Sequence, residues 1–214
     1  MTDRQRVADF IRSFGSDESS ETLRRIEEEA AADQVPIIRE ATRDLLNVLL
    51  KIRKPLRILE VGTAIGFSAL FMAERIPDEA RITTIENYPP RIERARANIR
   101  TAGREDRICL LAGDAADILK DLEGPYDFIF MDAAKGQYIH FFPEIMRLLA
   151  PSGILLSDNV LQDGDIYESR YAIRRRNHTI HSRMREYLYV LTHSPELDSV
   201  ILECGDGAAV SVRK

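Results

Sequence analysis

The sequence of 214 residues predicts an α/β protein in which a mostly parallel sheet follows a helical extension. Three observations support this fold class. From residue 57 onward, short runs rich in Ile, Val and Leu alternate with helical stretches. Before that point, apolar residues recur at helical spacing, and the chain ends in two strand-like runs on either side of Gly205-Asp206-Gly207, which is typical of a hairpin. The apolar share of 44% is normal for a globular core and excludes disordered and fibrous classes.

The helical extension, residues 1–55, is predicted to form three short amphipathic helices. Val35-Pro36 interrupts the apolar pattern between the second helix and the third. The candidate N-caps of the second helix are Asp17, Ser19 and Ser20. Because three helices of this length form a poor core alone, we expect them to pack on the rest of the chain, residues 56–214.

Five strand candidates precede the terminal hairpin. They are residues 57–63, 81–87, 107–114, 126–133 and 153–160. The stretches 67–76 and 90–103 between them are helical in pattern, and Gly103 is a candidate C-cap of the second stretch. Nearly continuous apolar strands that alternate with helices indicate a parallel sheet covered on both faces. With the hairpin included, the prediction is a Rossmann-like, doubly wound sheet of seven strands with an antiparallel C-terminal strand.

The charges are unevenly distributed. The chain has 35 acidic and 30 basic residues, a net charge of −5 that argues at first sight against a nucleic-acid partner. Residues 170–185, however, contain six arginines and no acidic residue. A solvated helix face explains such a run about as well as a phosphate-binding surface does.

The lack of targeting segments in the sequence and the use of its two cysteines predict a cytoplasmic location. The sequence has no apolar run of 18 residues and no signal peptide, so we expect a cytoplasmic protein that does not enter a membrane. Cys109 and Cys204 lie in apolar runs, where buried free thiols are expected rather than a disulfide.

Glycines and acidic residues lie at the carboxyl ends of the first three strand candidates. Ligands of doubly wound sheets bind at the carboxyl ends of the strands. There, Gly62 permits a tight turn, Gly66 lets a helix start against the strand, and Glu86, 20 residues later, can accept hydrogen bonds from ribose hydroxyls. Asp114 ends the third strand candidate and would either bind an adenine amino group or cap a helix. The patterns for a dinucleotide pyrophosphate and for a Walker-type phosphate loop are both missing, so we expect a nucleoside without a diphosphate, such as S-adenosylmethionine.

Oxygen-bearing side chains lie at the carboxyl ends of the fourth and fifth strand candidates. Asp132 ends one strand and Asp158-Asn159 ends the next, so these groups should converge at one edge of the sheet. Two carboxylates and an amide favour Mg²⁺ or Ca²⁺ over zinc. A single Asp at such a position would more often cap the following helix, but three such residues on adjacent strands favour a metal site. Lys135 lies near this set. A divalent cation would disfavour its charged form, which makes Lys135 a candidate general base, with a solvated surface lysine as the alternative.

At these residues the chain resembles class I S-adenosylmethionine-dependent methyltransferases, and more narrowly the metal-dependent O-methyltransferases that include the catechol and caffeoyl-CoA enzymes. The matching segments are Leu59–Thr63, Ile85-Glu86, Gly113–Ala115, Phe130–Ala133 and Ser157–Asn159. The resemblance implies a methyltransferase domain over residues 56–214, with Mg²⁺ on Asp132, Asp158 and Asn159 and with Asp132 and Lys135 as catalytic residues. The cofactor-binding residues that it implies are Ile37, Glu60, Gly62, Thr63, Ser68, Glu86, Asp114, Ala115 and Asp132.

Within this family, the chain also resembles bacterial enzymes that methylate 5-hydroxyuridine at the wobble position of tRNA. The similarity rests on Val35-Pro36-Ile37, Asp132–Tyr138, Asp158–Leu161, Gly205–Gly207 and the basic run. It implies that the partner is a tRNA anticodon loop, that Arg170, Arg174, Arg175 and Arg176 bind its phosphates, and that the protein is a homodimer. A small catechol or phenolic acceptor is the alternative, and a noncatalytic RNA-binding protein is a second one. The acidic residue with which the catechol enzymes hold their substrate has no equivalent among residues 207–209, which disfavours a vicinal diol.

Overall fold

The computed structural model describes residues 3–14 and 19–214, so the candidate cap Asp17 lies outside the described residues. The helices are α1 (Asp3–Arg12), α2 (Glu21–Ala32), α3 (Glu40–Arg53), α4 (Phe67–Ala73), α5 (Pro89–Thr101), α6 (Ala115–Asp121), α7 (Tyr138–Leu148) and α8 (His178–His193). The strands are β1 (Arg57–Val61), β2 (Arg81–Glu86), β3 (Ile108–Ala112), β4 (Tyr126–Met131), β5 (Leu149–Ser157), β6 (Leu197–Leu202) and β7 (Ala208–Arg213).

The seven strands form one sheet in the order β3-β2-β1-β4-β5-β7-β6. Neighbouring strands from β3 to β5 pair in parallel, whereas β7 runs antiparallel to both β5 and β6. The predicted fold class is therefore confirmed. The strand order reverses between β1 and β4, which is where ligands of doubly wound sheets bind.

Local signals set most of the element ends. The Ser20 hydroxyl accepts a hydrogen bond of 3.2 Å from the Leu23 amide and caps α2, as predicted. Gly103 adopts φ +61° just beyond α5, which satisfies the expectation of a left-handed residue after that helix. Strand β5 starts at Leu149, four residues earlier than predicted, because the chain passes through Pro151 without leaving the strand.

Two apolar layers flank the sheet. On one side, Ile26 of α2 packs with Leu46 and Leu50 of α3 against sheet residues such as Phe128. On the other side, helices α7 and α8 cover the strands, with Ile145 among the buried residues. Helices α2 and α3 thus belong to the main core.

The expectation that both cysteines are buried was wrong. Cys109 is exposed because β3 is the edge strand of the sheet, and Cys204 is only partly buried because it lies in the turn between β6 and β7. Both are free thiols, as expected. Within the described part of the chain, every helix is too short or too polar to span a bilayer.

Candidate active site

A cavity of about 680 Å³ opens at the carboxyl ends of the parallel strands. It contains most of the predicted site residues and brings together the two sets that the sequence predicts, the cofactor set and the oxygen set. The predicted residues that line it are Ile37, Gly62, Thr63, Ser68, Glu86, Asp114, Ala115, Asp132, Lys135 and Asn159. Two of the predicted residues, Glu60 and Asp158, are buried behind its wall.

The turn between β1 and α4 is held from both sides. The amides of Gly62 and Thr63 donate to the Ile85 carbonyl at 3.0 and 3.2 Å. Gly62 has φ +103°, and a Cβ atom there would collide with the backbone carbonyl of Asp132. A glycine is therefore required because the end of β4 approaches the turn, in addition to any contact with a ligand. This contact fixes the turn between β1 and α4 against the end of β4, where Asp132 lies.

Glu86 is oriented by three backbone amides. Its Oε2 atom accepts from the Ala64 amide at 2.9 Å, and its Oε1 atom accepts from the amides of Asn87 and Tyr88 at 3.0 and 2.9 Å. The side chain is almost fully buried at the cavity wall. A carboxylate has about four acceptor positions and three are used by these amides, so Glu86 can accept about one further hydrogen bond, from a ribose hydroxyl, in a preset orientation.

Asp114 has a capping role and also a place in the cavity. Its Oδ1 atom accepts from the Ala116 amide at 2.8 Å, which caps α6, and the residue also lines the cavity. The cap holds the carboxylate in place at the end of β3, where it remains accessible to a ligand.

Glu60 lies beneath the cavity floor instead of in it. The Thr84 hydroxyl donates to Glu60 Oε2 and is also hydrogen-bonded to the Thr63 hydroxyl, which reaches the cavity. Burial, with a smaller contribution from the charges of Asp132 and Glu86, raises the pKa of Glu60 to about 7. Glu60 therefore contacts the cavity through hydroxyl groups, those of Thr84 and Thr63 in series and that of Ser68, which lines the cavity and lowers the pKa of Glu60 by hydrogen bonding.

Asp132 and Asp158 meet at the ends of neighbouring strands, as predicted. The Asp158 amide donates to the Met131 carbonyl at 2.9 Å. Lys135 Nζ forms an ion pair of 2.7 Å with Asp132 Oδ1 and donates to the Tyr138 hydroxyl at 3.2 Å. The same hydroxyl lies 2.9 Å from the Met131 carbonyl oxygen and 3.1 Å from that of Asp158. Tyr138, which had no predicted role, thus links Lys135 to both strand ends.

The two carboxylate oxygens of Asp158 have different surroundings. Oδ1 accepts from the Thr42 hydroxyl at 3.1 Å and from the Asn159 amide at 2.8 Å. Oδ2 is buried, and none of the described groups hydrogen-bonds to it. Burial, and next the charge of Asp132, raise the pKa of Asp158 to about 6.

These residues fit a hard divalent cation. The buried Oδ2 atom of Asp158 lacks a partner among the described groups, and a cation beside it would offset both the burial and the repulsion from Asp132. The described residues contain no group of three or more His, Cys, Asp or Glu suited to a metal, so the set depends on the amide oxygen of Asn159 as its third ligand. Two carboxylates and an amide match the oxygen preference of Mg²⁺.

The arginine surface, which we define as Arg170, Arg174, Arg175 and Arg176, lies outside the cavity. All four residues are exposed on the segment between β5 and α8. Tyr171 beside them is 98% exposed. The helix that follows this segment packs against the turn bearing Lys135, where the Arg183 guanidinium donates to the Gly136 carbonyl at 3.2 Å. The arginine surface is therefore joined by one helix to the edge of the site.

Comparisons with known proteins identify the family. A family model described as O-methyltransferase matches residues 13–214. A caffeoyl-CoA O-methyltransferase of Stellaria longipes is 31% identical over 172 residues, which cover 76% of this chain and 70% of that protein. A catechol O-methyltransferase of Niastella koreensis is 35% identical over 127 residues, which cover 58% of this chain. The match thus spans only 58% of the length of that relative.

A solved structure shows the same architecture. The structure of a Podospora anserina methyltransferase bound to S-adenosylhomocysteine superposes with a TM-score of 0.87 and 28% identity, covering 99% of this chain and 95% of that one. The family match covers nearly the whole sequence, and the cavity occupies the switch point at which this fold binds nucleosides. The chain belongs to the class I S-adenosylmethionine-dependent O-methyltransferase family, the group of the catechol and caffeoyl-CoA O-methyltransferases.

Proposed function

We propose that this protein transfers the methyl group of S-adenosylmethionine to an ionisable ring hydroxyl next to a divalent cation. One observation carries the proposal: the cofactor cavity and the oxygen set share Asp132, so both reactants would meet at this residue. The cation, which we propose to be Mg²⁺, would be held by Asp132, Asp158 and Asn159. When bound, it supplies Lewis acidity that makes the acceptor hydroxyl more acidic.

The protein itself contributes orientation and a proton acceptor. Glu86 and Asp114 hold the nucleoside end of the cofactor, while Asp132 lies where the cofactor and the oxygen set meet. Alignment of two reactants is the part of catalysis that a preorganised cavity provides best. Lys135 is held at the cavity edge by Asp132 and Tyr138, and in its neutral form it would take the proton of the acceptor.

The names of the relatives favour a small acceptor. The curated relatives that match are named catechol and caffeoyl-CoA O-methyltransferases at roughly one-third identity, 35% and 31%. By this similarity, the acceptor would be a catechol or another phenol, and the lack of an acidic residue at positions 207–209 favours a phenol that is not a vicinal diol. The hydroxyl of such a ring is acidic enough to ionise beside a divalent cation at neutral pH.

The arginine surface favours a second candidate, 5-hydroxyuridine at the wobble position of tRNA. The enol-like 5-oxygen of this base is chemically similar to a phenol. Exposed arginines bind phosphates with bidentate geometry, and the exposed ring of Tyr171 is suited to stacking on an unpaired base. This candidate accounts for a basic surface beside the site that a small phenol would not need.

One assay separates the candidates. Purified protein is incubated with labelled S-adenosylmethionine and Mg²⁺, with either a catechol or tRNA that contains 5-hydroxyuridine as the acceptor. Label in the catechol alone supports the small acceptor, and label in the tRNA alone supports the second candidate. Label in neither would contradict both acceptors and leave a different ring hydroxyl or a noncatalytic protein. Mass spectrometry of tRNA nucleosides from a deletion strain provides the cellular counterpart, since loss of 5-methoxyuridine with accumulation of 5-hydroxyuridine would assign the tRNA reaction.

The arginine surface has its own test. If tRNA is the acceptor, replacing Arg174, Arg175 and Arg176 together by Ala should raise the KM for tRNA about tenfold or more, because phosphate contacts are lost, and should leave the KM for S-adenosylmethionine unchanged. The matched control replaces three exposed arginines elsewhere, Arg24, Arg96 and Arg100, and changes the net charge equally. Equal KM values for tRNA in the two triple variants would contradict binding by the arginine surface.

We also propose that the protein forms a homodimer. Helix α1 and the turn after it expose the apolar side chains Val7, Phe10, Ile11 and Phe14, each at least 57% exposed. Strand β6 at the sheet edge adds Val200 and Ile201, at 49% and 39%. Exposed apolar surfaces of this kind are typical of contacts between subunits. Sedimentation equilibrium should give twice the chain mass of 24.4 kDa, and a monomer at micromolar concentration would refute the proposal.

A further inference from the structure

Helix α3 and the turn between β6 and β7 meet over Asp158. Thr42 of α3 is completely buried, and its Oγ1 atom donates to Asp158 Oδ1 at 3.1 Å across a separation of 116 positions in the chain. The turn confines this hydroxyl, because a Cβ atom at Gly205 would come within 2.5 Å of it. The Cys204 thiol donates to the carbonyl of Ala41 at 2.9 Å, which fixes the helix to the turn. The Thr42 hydroxyl therefore has a defined position.

The hydrogen bond distinguishes the two oxygens of Asp158. Both protein donors, the Thr42 hydroxyl and the Asn159 amide, lie on Oδ1, and Oδ2 is left buried with none of the described groups bound to it. The terminal torsion of a carboxylate has a broad, two-fold preference, so packing alone holds it weakly. Two donors on one oxygen hold it firmly, and they leave the other oxygen available to a ligand.

We propose that Thr42 is a positioning residue of the active site: its hydroxyl orients the Asp158 carboxylate so that Oδ2 is presented to a divalent cation. The inference rests on the proposed cation set and adds to it a residue from the helical extension. Thr42 does not touch the reactants in this account. Removal of a group that hydrogen-bonds to a metal ligand in this way commonly lowers metal affinity by about 10- to 100-fold.

The test compares Thr42→Val with Thr42→Ser. Valine keeps the size and branching of threonine but removes the hydroxyl, whereas serine keeps the hydroxyl and removes the methyl group. Affinity for Mn²⁺, used as the probe, is measured by electron paramagnetic resonance on the full chain without acceptor. We expect Thr42→Val to bind Mn²⁺ about tenfold more weakly than the wild type and Thr42→Ser to remain within about threefold. Calorimetry should give the same affinity for S-adenosylhomocysteine in all three proteins.

Each other outcome overturns the inference, and the wild-type measurement separates it from the proposed function. Mn²⁺ binding by Thr42→Val at the wild-type affinity would show that the hydroxyl does not orient Asp158. Equal weakening in the Val and Ser variants would assign the effect to packing of the methyl group, and loss of S-adenosylhomocysteine binding would show general damage to the site. If Thr42→Val does not fold, Thr42→Ala takes its place, and Mn²⁺ binding by Thr42→Ala at the wild-type affinity, or weakened binding by Thr42→Ser, would contradict the inference. A wild-type protein that fails to bind Mn²⁺ would refute the cation proposal as well.

Discussion

The two halves of the cavity are built in different ways. The cofactor half consists of groups at the carboxyl ends of β1, β2 and β3, namely Gly62, Thr63, Glu86 and Asp114. Its polar groups are held by backbone amides close in sequence, such as the Asn87 and Tyr88 amides on Glu86. The acceptor half consists of Thr42, Asp132, Lys135, Tyr138, Asp158 and Asn159. Its central contact joins Thr42 to Asp158 across 116 positions, so its geometry depends on the tertiary fold.

This difference predicts separable effects on binding and turnover. Changes in the cofactor half should raise the KM for S-adenosylmethionine, because its groups bind the nucleoside equally in the ground and transition states. Changes in the acceptor half should lower kcat with little effect on that KM. A variant of the cofactor half that lowers only kcat, or a variant of the acceptor half that raises only the KM for S-adenosylmethionine, would contradict this division.

The largest effect is expected from Asp158→Ala. Loss of this carboxylate removes one of two charged ligands of the proposed cation, so turnover should fall by about 1000-fold or more, an effect comparable to that of removing other groups that stabilise developing charge. Affinity for S-adenosylhomocysteine should stay within about threefold of the wild type by calorimetry. The control is Asp198→Ala, a carboxylate on β6 that is exposed and distant in the sheet. Full turnover by Asp158→Ala, or by the wild type in excess EDTA, would rule out the cation.

The second effect concerns proton transfer by Lys135. General-base catalysis typically contributes about 100- to 10,000-fold, so Lys135→Met should lower kcat by about 100-fold and leave the KM for S-adenosylmethionine unchanged. The variant Lys135→Arg distinguishes a role in accepting a proton from a role of the positive charge. Arginine can retain the ion pair with Asp132 but cannot accept a proton, so it should be as slow as the Met variant. Restored turnover in Lys135→Arg would mean that only the positive charge is needed.

A smaller effect is expected in the cofactor half from Glu86→Gln. The amide nitrogen of Gln cannot accept from the backbone donors that hold the carboxylate, and the charged acceptor for the ribose is lost. We expect the KM for S-adenosylmethionine to rise about tenfold while kcat at saturation changes less than about threefold. Glu93→Gln on the exposed face of α5 is the matched control. A fall in kcat without a change in KM would assign Glu86 to the acceptor half.

The same division explains what the sequence could predict. The cofactor half follows from periodicity and from glycines and acids at strand ends, because these signals lie within one βαβ unit. The convergence of Asp132 and Asp158 also follows, since the ends of parallel strands share one edge. By contrast, Thr42 lies in an amphipathic helix and has the pattern of an ordinary core-facing position. Its contact with Asp158 arises only when α3 docks on the sheet.

Glu60 and Gly62 show a second limit of prediction from the sequence. The sequence associates both with the cofactor, and the structure places Glu60 below the floor and Gly62 against the Asp132 carbonyl. Strand periodicity cannot distinguish a carboxylate that faces a cavity from one that lies under it, because both occupy the end of the same buried strand. The distinction depends on Thr84 of the neighbouring strand, which comes between Glu60 and the Thr63 hydroxyl.

The smallest effect on turnover is therefore expected from Glu60→Gln, which should keep kcat and the KM for S-adenosylmethionine within about threefold because the amide oxygen can still accept from Thr84. Its effect should appear in stability instead. The pKa of Glu60 is raised from 4.5 to about 7 by burial, so between these pH values the folded protein binds a proton that the unfolded chain has released. Stability must then fall as the pH rises through this window, and the loss at pH 8 amounts to about 3 kcal/mol at most.

Glu60→Gln removes this contribution and leaves the other titrating groups in place. The free energy of unfolding in urea, measured at pH 5, 6, 7 and 8, should therefore show a difference between variant and wild type that grows in favour of the variant as the pH rises. The difference between the two proteins isolates Glu60 from Asp158, whose pKa is also raised by burial. If the free energies of unfolding of the two proteins changed with pH in parallel, Glu60 would titrate as an exposed carboxyl does. Such a result would place Glu60 in contact with solvent in the cavity, and it would extend the cofactor half down to the floor of the sheet.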